Sequence, residues 1–204
     1  GPVADVARLM AEGTTSAVEQ VRYALEVINR LQPELNAFAH LAPEAELMEL
    51  AESLDRERAA GKIRSPLHGL PISVKDVVHV KGMPTSSGSK VMEGFMPDDD
   101  ATAVRLLREA GAIIIGKAHT HEFALGVTTP QSRNPWDTSR DPGGSSGGSA
   151  ISVSTGMSFL SVGTDTRASI RVPASLCGTL GYKPTYGLVS TDGIVTLSWS
   201  MDHT

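Results

Sequence analysis

Residues 134–184 constrain this chain more than any other stretch. Glycine, serine and threonine dominate there, as in Gly143-Gly144-Ser145-Ser146-Gly147-Gly148-Ser149. Apolar residues nevertheless recur at Ile151, Val153, Phe159, Leu160, Val162, Ile170, Val172, Leu176 and Leu180. A flexible Gly/Ser linker lacks such anchors. The pattern describes a backbone packed close against a site, where glycine allows tight approach and serine supplies hydroxyls.

The rest of the chain supplies a frame for that backbone. Ser16 with Glu19 three residues later has the form of a capping box. Val18, Val21, Leu25 and Ile28 then keep helical spacing to about Leu31, and Pro33 is expected to end the helix. A second helix is expected from Pro43, with Leu47, Leu50, Ala51 and Leu54 on one face and Gly61 as its stop. Residues 70–74 form a short apolar strand that runs straight into Lys75-Asp76. Residues 101–110 predict a helix with Val104, Leu106 and Leu107 inward. Asp98, Asp99 and Asp100 are its expected cap and dipole partners, and Gly111 its expected C′ residue. Residues 112–115, rich in isoleucine, suit a buried strand. Helix, glycine turn and strand make an αβ unit, so the class is α/β on a mixed, mostly parallel sheet flanked by helices. No repeat and no clear boundary divides the chain. It reads as one domain over residues 1–204, with 1–60 a helical front and 61–204 the part that carries chemistry.

Composition removes several alternatives. The 204 residues are 40% hydrophobic and 20% charged, with a net charge of −5. That is too apolar for a disordered chain and too acidic for a nucleic-acid binder held by a basic patch. The longest apolar runs, such as residues 112–115, are far too short to span a membrane. The single cysteine, Cys177, has no internal partner and reads as a buried thiol, so a cytoplasmic location is expected. Gly1-Pro2 reads as the remnant of a cleaved tag, with no signal peptide after it.

Serine hydroxyls are weak nucleophiles near neutral pH and need a base, which lysine can provide when burial disfavours its ammonium. Lys75, at the end of an apolar strand, is the candidate base, and Ser145, Ser146, Ser149 and Ser169 are the candidate hydroxyls. Spacing alone does not choose among them. His119, His121 and Glu122 make a poor metal set, because residues two apart lie on opposite sides of a helix. No metal is expected.

Four ordered segments carry a resemblance: Gly69-Leu70-Pro71-Ile72-Ser73-Val74-Lys75-Asp76, residues 142–149, residues 163–173, and Gly181-Tyr182-Lys183-Pro184-Thr185. Together they resemble the amidase signature family over nearly the whole chain, with the family's C-terminal half having no counterpart. The resemblance implies cleavage of a linear amide C–N bond through an acyl-enzyme. It implies a triad of Lys75 as base, Ser145 (after a cis peptide bond) as relay, and Ser169 as nucleophile. Backbone N–H groups around Thr166, Arg167, Ala168 and Ser169 would hold the oxyanion, and the loop with Ala124 would line the substrate channel. The implied partner is a small-molecule amide, with no cofactor, no membrane and a possible homodimer. The amidotransferase type, which would meet tRNA-bound substrate, is the alternative. A third reading is a non-catalytic domain.

One departure stands out. Arg167-Ala168 replaces the family's usual glycine pair before the nucleophile. Either Arg167 meets an anionic or carbonyl-rich substrate, or β-carbons at both positions restrict the loop and impair activity. Arg171 is expected to buttress the same loop through Asp165.

Overall fold

The computed structural model describes residues 2–204. Their helices are α1 (Pro2–Ala11), α2 (Ala17–Leu35), α3 (Glu44–Ala59), α4 (Thr102–Glu109), α5 (Gly147–Ser154) and α6 (Arg171–Cys177). The strands are β1 (Phe38–Leu41), β2 (Pro71–Lys75), β3 (Ile113–Ala118) and β4 (Leu160–Val162), in the sheet order β1-β3-β2-β4. β2 runs parallel to both β3 and β4, and β1 pairs antiparallel with β3 at the edge. This is the mixed, mostly parallel α/β sheet that the αβ unit implied. Every residue of β2 and β3 is buried, as parallel strands covered on both faces require.

Two apolar clusters flank the sheet. One joins Val21 and Ile28 of α2, Leu47 and Leu54 of α3 and Ile151 of α5 to Ile113 and Ile115. The other joins Ile72, Val74 and Ile114 to Val104 of α4 and to Val77, Val78 and Val80. No helix among the described residues is long and apolar enough to cross a membrane.

Local expectations hold at several ends. Ser16 and Glu19 close a capping box, and Gly111, at φ +91°, follows the C-cap of α4. Others need correction. α2 runs through Pro33 to Leu35, because losing one N–H in the last turn is cheap when the exit is clamped elsewhere. The Gln32 side chain does the clamping: its amide oxygen accepts the Ala37 and Phe38 N–H groups, and its amide nitrogen donates to the Phe38 carbonyl. The expected helical front also contains a strand, β1, and begins with a helix, α1, that periodicity did not announce. Leu106 is exposed rather than inward, since two positions along a helix turn it about 200° from buried Val104. The three aspartates do not cap α4. Asp100 accepts the Lys81 N–H at 2.8 Å and meets Arg108 at 3.1 Å, while the helix start leans on Asp192 through the Thr102 hydroxyl at 2.8 Å.

One irregularity of the sheet reaches the site. Ile72 lies opposite Ile114 but Ser73 lies opposite Gly116, so Ile115 is an extra residue in β3. An unbroken register would set Lys75 and Lys117 side by side on one face. The bulge sets Lys75 opposite Ala118 and Lys117 opposite Val74, so the two lysines leave the sheet on opposite faces.

Candidate active site

Three segments converge beyond the C-terminal end of β2: Lys75 itself, the loop that enters α5, and the loop from β4 to α6. Lys75 is fully buried, and its ammonium nitrogen lies 2.6 Å from Ser145 Oγ and 2.8 Å from Thr164 Oγ1. Burial pushes the Lys75 pKa down to about 7, while the more distant carboxylates Asp165 and Asp202 pull it up. At neutral pH the amine is therefore free to carry or release a proton.

The glycines of the α5 loop are there for close approach. The Gly144–Ser145 peptide is cis. A β-carbon on Gly144 would stand 2.0 Å from the Thr128 carbonyl oxygen, and one on Gly148 would stand 2.3 Å from that of Ala37. The first residues of α5 can thus lie directly on the 128–129 strap and on the end of β1. Thr129 completes the fastening: its hydroxyl donates to the Gly143 carbonyl at 2.9 Å and accepts the Gly147 N–H at 3.1 Å.

Ser169 is buried, and its carbonyl accepts the Ser146 N–H at 3.1 Å, which stitches its loop to the serine-glycine turn. Ser146 Oγ donates to the Thr164 carbonyl at 3.2 Å. Within the described residues, the backbone N–H groups of residues 166–169 donate to no protein acceptor. Arg171 braces the loop as expected. Its guanidinium binds both carboxylate oxygens of Asp165, at 3.0 and 3.1 Å, and also reaches the Arg167 carbonyl. The Asp165 carboxyl stays below its usual pKa because these bonds outweigh the cost of burial, which acts the other way. Thr166 donates to Asp202 at 2.6 Å, so the last residues of the chain also pin this loop.

The expected strain at Arg167-Ala168 needs correction. Neither residue has a positive φ, so the loop's conformation does not call for glycine at either position. Arg167 is exposed, with its side chain in solvent. Ala124 sits at φ +58° beside Phe123 at φ +47°, and its loop is tied to the serine turn by the His121 N–H, which donates to the Ser145 carbonyl at 3.1 Å. His119, His121 and Glu122 do not converge, and no cluster suited to a metal ion occurs among the described residues. Cys177 is buried against the Pro142 carbonyl, and burial pushes its thiol up to about 12.

Sequence reasoning passed over two residues, one in the site and one behind it. Thr164, the second hydroxyl on Lys75, carries no local signal beyond its place in Gly163-Thr164-Asp165. Lys117 carries the same signal as Lys75, a lysine closing an apolar strand, and that signal alone could have found it. Its ammonium is fully buried, 3.0 Å from Asp76 Oδ1.

A buried amine held against serine and threonine hydroxyls at the end of a mostly parallel sheet is an arrangement suited to acyl chemistry. The chain belongs to the amidase family, whose model matches residues 19–204. It is 47% identical to the A-type subunit of the glutamyl-tRNA(Gln) amidotransferase of Rhodopirellula baltica, over 98% of this chain and 41% of that protein. The native peptide amidase of Stenotrophomonas maltophilia superposes with a TM-score of 0.92 at 39% identity, over 98% of this chain and 43% of that one. For the A-type subunit of the Thermotoga maritima glutamyl-tRNA(Gln) amidotransferase the values are 0.79 and 39%, over 91% and 39%. The chain thus spans about two fifths of the length of the curated relatives it matches.

Proposed function

We propose that this chain carries the acyl-transfer machinery of a C–N hydrolase acting on a linear amide. The observation that bears most weight is the 2.6 Å contact between Lys75 Nζ and Ser145 Oγ, made by a lysine whose burial lowers its pKa to about 7. Neutral Lys75 takes a proton through Ser145, and Ser169 attacks the amide carbonyl. The uncommitted N–H groups of residues 166–169 supply donors for the tetrahedral oxyanion, each worth about 3–4 kcal/mol where such donors have been removed. The relayed proton leaves with the amine, and water releases the acyl group. No metal or cofactor is called for. On this reading exposed Arg167 would meet an anionic or carbonyl-rich substrate, and the loop with Ala124 would line the substrate channel.

A fluorophosphonate probe tests this reading. Stoichiometric labelling with the adduct mapped to Ser169 supports it. An adduct on Ser145 or Cys177, or no adduct, overturns it.

A second reading, the A-type subunit of an amidotransferase, is favoured by the identity to such subunits. It requires partner subunits and predicts glutaminase activity that depends on them. Copurification and a glutaminase assay separate the two.

A further inference from the structure

Outside the lysine–serine contact, Lys117 and Asp76 form a fully buried ion pair near the site, and nothing in the acyl-transfer scheme uses them. Lys117 Nζ lies 3.0 Å from Asp76 Oδ1 without the angle of a hydrogen bond, and it donates to Thr85 Oγ1 at 2.8 Å and to the Pro84 carbonyl at 3.1 Å. Asp76 Oδ2 accepts from the N–H and hydroxyl of Ser86, and the Asp76 carbonyl accepts the Ser87 N–H at 2.9 Å. Residues 84–87 are therefore gripped from both ends of one ion pair.

That grip is passed on. The Ser87 carbonyl accepts the Phe123 N–H at 2.8 Å, and Ser89 Oγ donates to Glu122 at 2.7 Å. Gly88 lies so close to the second loop that a β-carbon would stand 2.7 Å from the Thr120 carbonyl oxygen. Ser87 at φ +53°, Phe123 at +47° and Ala124 at +58° all lie in these two loops. Non-glycine residues keep such conformations only where the surroundings hold them. The far end of the second loop is His121, whose N–H holds the Ser145 carbonyl at 3.1 Å.

We propose that the Asp76–Lys117 pair is a positioning device: it fastens the 84–89 loop to the 121–126 loop and so sets Ser145 where its hydroxyl meets Lys75. The proposal rests on the serine–lysine reading above. Asp76 adjoins Lys75 in the chain, so one turn of backbone serves the base on one face of the sheet and the clamp on the other.

The test compares Asp76→Asn, Lys117→Met and the double variant with the parent chain. One arm follows the rate of fluorophosphonate labelling at Ser169 against pH, per folded molecule. Each single variant is expected to lower the plateau rate at least tenfold with the midpoint unmoved, because the carboxylates acting on Lys75 are Asp165 and Asp202. The double variant is expected to lose no more than a single one, as residues acting as a unit do. The other arm is amide hydrogen exchange. Protection at Phe123 and His121 should fall at least tenfold more than in α2, whose protection follows only the global stability. If a single variant fails to fold, the double, which leaves no unpaired charge, carries both arms. Parental labelling rates together with parental protection at Phe123 and His121 overturn the proposal. A parent that does not label overturns the function reading instead, and the exchange arm still decides the clamp.

Discussion

Lys75 and Lys117 leave neighbouring strands of one sheet and are equally buried, yet they meet opposite company. Lys75 faces two hydroxyls, and its nearest influential carboxylates act only from a distance. Lys117 faces a carboxylate at 3.0 Å. Burial lowers the pKa of both; at Lys117 the adjacent Asp76 opposes it. Burial alone does not make a lysine a base. The partner decides: hydroxyls let the amine give up its proton, whereas a carboxylate keeps the ammonium and turns it into a structural charge. The bulge at Ile115 keeps the two roles apart by sending the side chains to opposite faces.

The sharpest way to break this comparison is to remove each lysine. Lys75→Ala is expected to slow acylation of Ser169 by about 10³–10⁴-fold, the upper range for loss of a positioned base. Lys75→Arg should not restore it, since arginine stays protonated. Single-turnover labelling reads both. Lys117→Met should instead act first on stability, costing about 3–5 kcal/mol because Asp76 is left buried without its partner. Urea unfolding measures it. Equal loss of stability at both lysines, with equal loss of rate, would erase the distinction.

Next in size is the pH dependence. With Lys75 as base, the labelling rate should rise through about pH 7 and level above it, since the protonated amine cannot accept a proton. The same lowered pKa has a stability consequence. The unfolded lysine keeps its proton up to about 10.5, so between about 7 and 10.5 the unfolded chain binds more protons and stability should rise with pH. Below about 7 both states are protonated and the full cost of burying the ammonium remains. Lys75→Met should flatten that slope, as thermal unfolding at pH 6 and pH 9 would register.

The smallest effect concerns the nucleophile loop. Because Arg167 and Ala168 already adopt ordinary φ values, Arg167→Gly with Ala168→Gly should bring no gain in rate on neutral amides. It should cost about 1 kcal/mol through the entropy of the unfolded chain. A faster double-glycine variant would mean that β-carbons there do hinder the reaction.

Much of the molecule could be read from the chain alone. The helical spacing, the capping box and the Ala110-Gly111 turn specify local structure through contacts between near neighbours, and those elements formed where expected. The apolar anchors within residues 134–184 were legible only in part: Ile151 is buried and Val153, Phe159, Val162, Ile170 and Val172 are partly so, whereas Leu160, Leu176 and Leu180 stay exposed. The motif order picked out Lys75, Ser145 and Ser169, though which hydroxyl faces the lysine was not legible from spacing. The exit of α2 through Pro33 depends on the Gln32 side chain finding Phe38, a contact that no propensity encodes. Leu106 turned outward because helix phase, set by what α4 packs on, overrides hydrophobicity.

What only the tertiary structure decided is the fate of like residues. Two lysines close two apolar strands, in Val74-Lys75 and Gly116-Lys117, with nothing local to tell them apart. A one-residue bulge, settled by how β3 packs between β1 and β2, sends one to Ser145 and Thr164 and the other to Asp76. Side-chain chemistry is written in the sequence. Which partner that chemistry meets depends on register, and register is set by the packing of the whole sheet.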